Sequence, residues 1–313
     1  MIRELPYKEP RFKYLNCTGM IGVIASTRDD VDNWYFNTCI QWQYIKNDDR
    51  HKVPMITALD PYQLPPMVQS YYFNGFVMMY CLDELVHDLI DHGYYVNFWK
   101  IDDYFIKGKS NYSQRHFYHD GLVLGYDDEA QTYTFASYSS NRVFEKFVSP
   151  QDCVERAFNA AFTNAFCGIR IYEEYPQIKL DFSLILKGIR EYLYPLKRPD
   201  RFLGIYLYDW LCEQVERHRD NDKHGLDQRL FRMVLEHKKC MMDRLQALAN
   251  DGYIDCDCSD AYQPVYQQAV LLHYLCIKYN LTTQNRLLDA MVEKLHFISE
   301  REQQVLYRLL YHC

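Results

Sequence analysis

A thiol that attacks acyl groups needs a lowered pKa, a base to take its proton, and donors for the oxyanion that forms. Cys17 is placed for the first of these. It lies in KYLNCTGMIGVIAS, Lys13 to Ser26, where a polar Asn-Cys-Thr-Gly step leads into an apolar run. Met20, Ile21, Val23 and Ile24 fall at helical spacing, and Asn16 suits an N-cap. A cysteine in the first turn of that helix would sit at the positive end of the macrodipole, which favours thiolate. Its own backbone N–H would point outward as an oxyanion donor. The base must come from elsewhere in the chain. His119 is the first candidate, because it opens the strand HDGLVLGYDD and so sits at an edge of a sheet. His116, three residues earlier in a loop, ranks below it.

The elements that would position this pair can be read from periodicity. CLDELVHDLIDHG, residues 81–93, is a helix with Leu82, Leu85, Val86 and Leu89 on one face and Gly93 at the C′ position. A strand follows from Tyr94, then a polar loop, KGKSNYSQR, 107–115. HDGLVLGYDDEAQTYTFASY is a hairpin, whose turn absorbs the acidic Asp127, Asp128 and Glu129. RVFEKFV is a further strand. Ser149 as N-cap and Pro150 at N1 predict a helix over 150–163, and CGIRIYEEY, 167–175, reads as a strand. Alternation from Trp34 to Tyr44 predicts a strand, and DPYQLPP, 60–66, breaks any element. After about residue 177 helical spacing dominates, over 181–194, 203–219, 226–250, 262–279 and 284–311. The expectation is an α+β domain over 1–177 and an all-α helical bundle over 178–313.

Cysteine first, a helix behind it, and histidine on an antiparallel hairpin is the order of a papain-like fold. The chain resembles the butirosin biosynthesis protein H-like family, related in fold to the leader-peptide peptidases of bacteriocin exporters. The resemblance rests on the "NC" before the first helix, DHGYYVNFWKIDDYFI, HDGLVLGYDDEAQTYTFASY and GLDQRLFRMVLEHKKCMMDRL, and so covers most of the chain. It implies a papain-like N-terminal domain and an amide-forming acyl or peptidyl transferase of antibiotic and nonribosomal-peptide clusters. In logic it is similar to the closthioamide peptidyl transferase. An acyl group held as a thioester on the phosphopantetheine of a carrier protein would pass to Cys17 and then to an amine; no bound cofactor is implied. His119 would carry the protons. Relatives place Asp or Asn on the strand after the hairpin, where this chain has Ser137, with Asn141 further along. The resemblance also offers Asp102, in KIDDYFI, to orient His119 or hold a cationic acceptor; solvation of a strand end is the plainer role for Asp102 and Asp103. The usual oxyanion glutamine is not visible, which leaves Asn16 or the N–H of Cys17.

Composition narrows the partners. The formal net charge is −7 over 313 residues, which argues against nucleic acid or an anionic membrane and suits a small amine or polyamine. MIRELPYKEPRF lacks an apolar signal core and no apolar run approaches a membrane span, so a cytoplasmic protein with free thiols is expected. The 11 cysteines form no regular framework of pairs. Cys256 and Cys258 lack a second pair to make a zinc site, and His237 and Cys240 read as a helix surface. Cys39, Cys81, Cys153, Cys167, Cys212, Cys240 and Cys276 are expected to be buried small side chains. Lys197, Arg198, Arg201, Lys238, Lys239 and Arg244 would either dock an acidic carrier protein or face solvent. Two other functions stay open: a hydrolase using the same pair, and a binding protein that kept the fold without the chemistry.

Overall fold

The computed structural model describes residues 1–14, 19–46, 65–74, 82–141, 143–161, 165–219 and 225–312. Asn16, Cys17, Cys81 and most of the proline-rich break lie outside the described residues. The chain is mixed α+β, with an antiparallel sheet followed by C-terminal helices. In order the elements are β1 (Ile2–Glu4), α1 (Gly19–Ala25), α2 (Val31–Thr38), β2 (Gln43–Ile45), β3 (Val68–Asn74), α3 (Leu82–Asp91), β4 (Tyr95–Asp102), β5 (Tyr118–Asp127), β6 (Thr132–Tyr138), β7 (Phe144–Pro150), α4 (Gln151–Asn159) and β8 (Ala165–Ile171). The C-terminal half adds α5 (Phe182–Leu193), β9 (Arg201–Leu203), a 3₁₀ turn at Gly204–Tyr206, α6 (Leu207–Glu216), α7 (Gln228–Asn250), α8 (Cys256–Thr282) and α9 (Asn285–His312).

The described residues fall into two compact units. One takes in those of Met1–Lys13, Thr18–Asp29 and Leu64–Pro176; the other those of Tyr14–Cys17, Asp30–Gln63 and Gln177–Cys313. In the first, the strands run in the order β3-β8-β4-β5-β6-β7, all antiparallel, with β1 along β5. Gly125 permits that last pairing, since a Cβ there would meet the Arg3 carbonyl at 2.7 Å. α1 packs on β6 and β8, and its Val23, Ile24 and Ala25 are buried. α3 buries Leu82, Val86, Leu89 and Ile90 and ends as expected: Gly93 has φ +82°, and Tyr94 N–H returns to the Leu89 carbonyl. α4 sets Phe158 against Phe98 of β4 and Phe166 of β8. Its start differs from the expectation. Ser149 stays in β7, and its buried hydroxyl caps nothing; the helix begins at Gln151 after Pro150.

In the second unit the predicted strand from Trp34 is replaced by helix α2, and only Gln43–Ile45 pairs, with β9. Val31, Trp34 and Tyr35 are buried at i, i+3 and i+4. The end of α2 is secured from α7. Arg244 is fully buried, and its guanidinium donates to the carbonyls of Phe36 (2.6 Å), Tyr35 (3.2 Å) and Cys39 (2.8 Å). A cation thus satisfies helix-terminal carbonyls that a sequence window cannot show as paired. The run expected as helix from 203 begins instead with β9 and the 3₁₀ turn, while α8 starts earlier than expected and accommodates Pro264.

Two further expectations are corrected here. His237 is buried rather than on a helix surface, and Cys240 is buried as expected of a small thiol side chain, not exposed beside it. Lys238 and Arg244 are fully buried, so neither belongs to a docking surface for a carrier protein. The Lys238 ammonium donates to both carboxylate oxygens of buried Glu302 at 2.8 Å. The hydroxyls of Tyr192 and Tyr208 donate to the same carboxylate at 2.7 Å, and that of Tyr262 also donates to it. Trp42 covers the ammonium at 4.3 Å. His237 donates from Nε2 to the Ile40 carbonyl (2.7 Å), so its Nδ1 is free to accept from Lys238 (2.8 Å). Burial holds its pKa well below the usual histidine value, with the Lys238 charge adding to the effect.

Candidate active site

The site is built at the end of the β4–β5 hairpin. β4 carries an irregularity between Phe98 and Ile101, with Lys100 at φ +56°, and regains register as Ile101 opposite His119 and Asp102 opposite Tyr118. This places both candidate histidines beside the end of β4. The bend is pinned by Lys100 N–H donating to Asp120 Oδ1 at 3.1 Å.

Asp102 has no exposed surface. Its Oδ1 accepts the backbone N–H groups of Tyr104 (3.1 Å) and Phe117 (3.2 Å), and its Oδ2 takes Nδ1 of His116 at 2.6 Å. A buried carboxylate with three donors is anchored rather than solvated. The His116 side chain is 61 % exposed and stacks on Tyr104 at 4.5 Å. With Nδ1 committed to the carboxylate, Nε2 is its nitrogen for proton transfer. Asp102 therefore orients His116, the histidine ranked lower on sequence.

His119 is half-buried and stacks with Phe117. Its Nδ1 lies 3.0 Å from the Asp120 carbonyl oxygen. A carbonyl only accepts, so this contact requires the proton on Nδ1 and leaves the lone pair on Nε2. A backbone group thus does for His119 what Asp102 does for His116.

Ser137 is fully buried on β6. Its hydroxyl accepts from the ammonium of Lys109 at 2.6 Å and donates to the Asp120 carbonyl at 3.3 Å. Lys109 is itself buried, 3.5 Å from the carboxylate of buried Asp103. Burial pushes the Asp103 carboxyl up and the Lys109 ammonium down, and each partner's charge opposes the other's shift. Asn141 bonds elsewhere, to Ser139 and Glu145. Asp127 closes the β5–β6 turn by accepting the N–H groups of Glu129 and Ala130.

Seven of the eight described thiols are shielded from solvent. Cys39, Cys153, Cys167, Cys212, Cys240, Cys258 and Cys276 are buried. Burial pushes the thiol of Cys167 up, that of Cys212 to about 11 and that of Cys276 to about 12. Cys256 is exposed, and no group of three or more metal-ligating side chains is disposed to hold a metal among the described residues. Cys17 and Asn16 lie outside the described residues; α1 starts at Gly19, two positions after Cys17.

Sequence reasoning missed the Asp102–His116 pair and the burial of Lys109. Register is the signal for the first: Asp102 ends a strand whose partner starts two residues after His116. For the second there was none, because a lysine in KGKSNYSQR reads as solvated.

Neither a protein-family model nor a curated protein sequence matches the chain. No described helix is long and apolar enough to cross a membrane.

Proposed function

We propose that the protein is an amide-forming acyl or peptidyl transferase with Cys17 as nucleophile and a papain-like N-terminal domain, acting in the cytoplasm in natural-product biosynthesis. The donor is a thioester on the phosphopantetheine of a carrier protein, and the acceptor is a small amine or polyamine. The observation that carries the reading is the state of His119. Its Nδ1–H is held by the Asp120 carbonyl, so Nε2 is the basic nitrogen. The resemblance to the butirosin family and the net charge of −7 supply the substrate classes.

The steps balance without an added reagent. His119 Nε2 takes the Cys17 proton, and the thiolate adds to the thioester carbonyl. The bond to the pantetheine sulfur breaks, and His119 returns the proton to that leaving thiol. Donor and acceptor sulfurs are alike, so this exchange is nearly isoergic. The amine then adds to the S-acyl carbonyl, gives its proton to His119, and expels Cys17 as thiolate. Water in place of the amine would make the same machinery a hydrolase.

A second reading of the base has its own observation. His116 is hydrogen-bonded to a carboxylate, that of Asp102, at 2.6 Å, whereas the Nδ1 of His119 is held by a backbone carbonyl. Incubation with acyl-loaded carrier protein tests both readings by intact mass. An acyl adduct on Cys17 that is discharged by amine into amide supports transfer, and free acid in the presence of amine supports hydrolysis. Full amide formation by Cys17→Ala would rule out the covalent route. Loss of the adduct in His119→Asn but not His116→Asn assigns the base to His119; the reverse pattern assigns it to His116.

A further inference from the structure

We propose that Lys109 is a positioning residue for His119: through Ser137 it holds the Asp120 carbonyl that fixes the imidazole as an Nε2 base. This rests on the reading of His119 as the base of the reaction. The directions of the hydrogen bonds follow from the groups themselves. An ammonium has only donors, so Ser137 Oγ accepts from Lys109 at 2.6 Å. Its hydroxyl proton is then directed to another acceptor, the Asp120 carbonyl at 3.3 Å. The same carbonyl receives His119 Nδ1–H at 3.0 Å. Residue 120 is held from its other side as well, since its carboxylate accepts the N–H of Lys100 at the irregular point of β4. The carbonyl thus has one buried neighbour, the Ser137 hydroxyl, besides the imidazole ring.

The lysine is costly to keep there. It is 3 % exposed, and its counter-charge Asp103 is 4 % exposed and 3.5 Å from it, a long contact for an ion pair. Asp103 Oδ1 makes no hydrogen bond. Apolar side chains of similar volume would fill the space without that desolvation. The charge is explained if its task is to orient a hydroxyl, which an apolar side chain cannot do. Ser137 occupies the position where the resemblance leads one to look for an acid, and Lys109 makes that serine directional. The Asp103 carboxylate is close enough for its charge and that of His119 to act on each other.

The test is long-range proton–nitrogen NMR on the full chain with nitrogen-labelled histidine. In the wild type with the imidazole neutral, one tautomer is expected, with the proton on Nδ1. Ser137→Ala is expected to convert it to a mixture, with intermediate shifts at both ring nitrogens, and to displace the pH profile of Cys17 acylation. Lys109→Met alone would leave Asp103 unpaired and risk unfolding, so it is combined with Asp103→Asn; the same mixing is expected. A single Nδ1–H tautomer that persists in both variants would overturn the proposal. The tautomer is measured without substrate, so it stands apart from the functional reading. A wild-type chain that never acylates refutes transfer while the tautomer result still decides this proposal, and an acylating chain with unchanged tautomer refutes only the role of Lys109.

Discussion

Each unit buries a lysine against a carboxylate, and the two are buried differently. Lys238 meets both oxygens of Glu302 at 2.8 Å, under Trp42, with three tyrosine hydroxyls on the same carboxylate. Lys109 meets Asp103 at 3.5 Å and gives its shortest bond, 2.6 Å, to an uncharged serine. A saturated cluster locks a core, because every group that left water has found a partner. A cluster that is loosely paired and spends its lysine on a hydroxyl beside a histidine is arranged for direction rather than stability. On the proposal made for Lys109, Lys238 serves the fold and Lys109 serves the site.

Breaking the saturated cluster should cost most. Glu302→Ala leaves a buried ammonium and three hydroxyls without their acceptor, and about 3–5 kcal/mol of stability should be lost in chemical denaturation. Lys238→Met combined with Glu302→Leu should recover most of that loss, since the pair goes together. If the single variant costs under ~1 kcal/mol, the cluster is not the lock described here.

The same cluster gives the fold a pH signature. Burial, then the Glu302 charge, pushes Tyr192, Tyr208 and Tyr262 well above their ordinary value of 10.0. These groups are raised in the folded state, so their contribution is complete below pH 10 and is lost as pH rises above it. Burial brings Lys238 down from 10.5 to about 8, against the pull of Glu302. Between those values the unfolded chain binds the extra proton, so this group makes stability rise with pH from about 8 to 10.5. The raised thiols of Cys212 and Cys276 lose stability as pH rises above about 9, so the Lys238 contribution is read as a difference: from about pH 8 to 10 the wild-type denaturation midpoint should gain on that of the variant carrying Lys238→Met and Glu302→Leu. A difference that stays flat or shrinks over that range would contradict the assignment to Lys238.

The loose cluster should respond in the opposite sense, with a small stability change and a large functional one. Ser137→Ala should cost about 1 kcal/mol in denaturation, the worth of an ordinary hydrogen bond, yet lower the Cys17 acylation rate about tenfold or more by loosening the base. Equal effects on both readouts would make Ser137 merely structural. The smallest stability effect belongs to His116→Asn. That side chain is mostly exposed, and Asp102 keeps two backbone donors, so stability should move by about 1 kcal/mol or less. Its acylation rate separates the two histidines as base.

What the sequence reveals follows the range of the interactions. α3, its glycine stop and the β5–β6 hairpin are written in residues close to one another, and they stand where periodicity put them. α2 is not so written. Its aromatic residues alternate, and its helical end is paid for by Arg244, more than 200 positions away. Ser149 looks like a cap beside Pro150, but the sheet holds it as the last inward residue of β7. The site shows the same division. His119 at a strand start and Asp102 at a strand end are legible, but the partner of each is chosen by hairpin register, which gives Asp102 to His116. Lys109 was invisible because burial of a loop lysine depends on Asp103 and Ser137 from two other segments.

The central claim is that Cys17 is an activated nucleophile, and its alkylation rate as a function of pH tests this without any substrate. The account predicts that iodoacetamide modifies Cys17 ahead of the other thiols at about pH 6, where an ordinary thiol stays protonated, and that His119→Asn removes this advantage. A Cys17 that reacts only above about pH 8, at the same rate in both proteins, would contradict it.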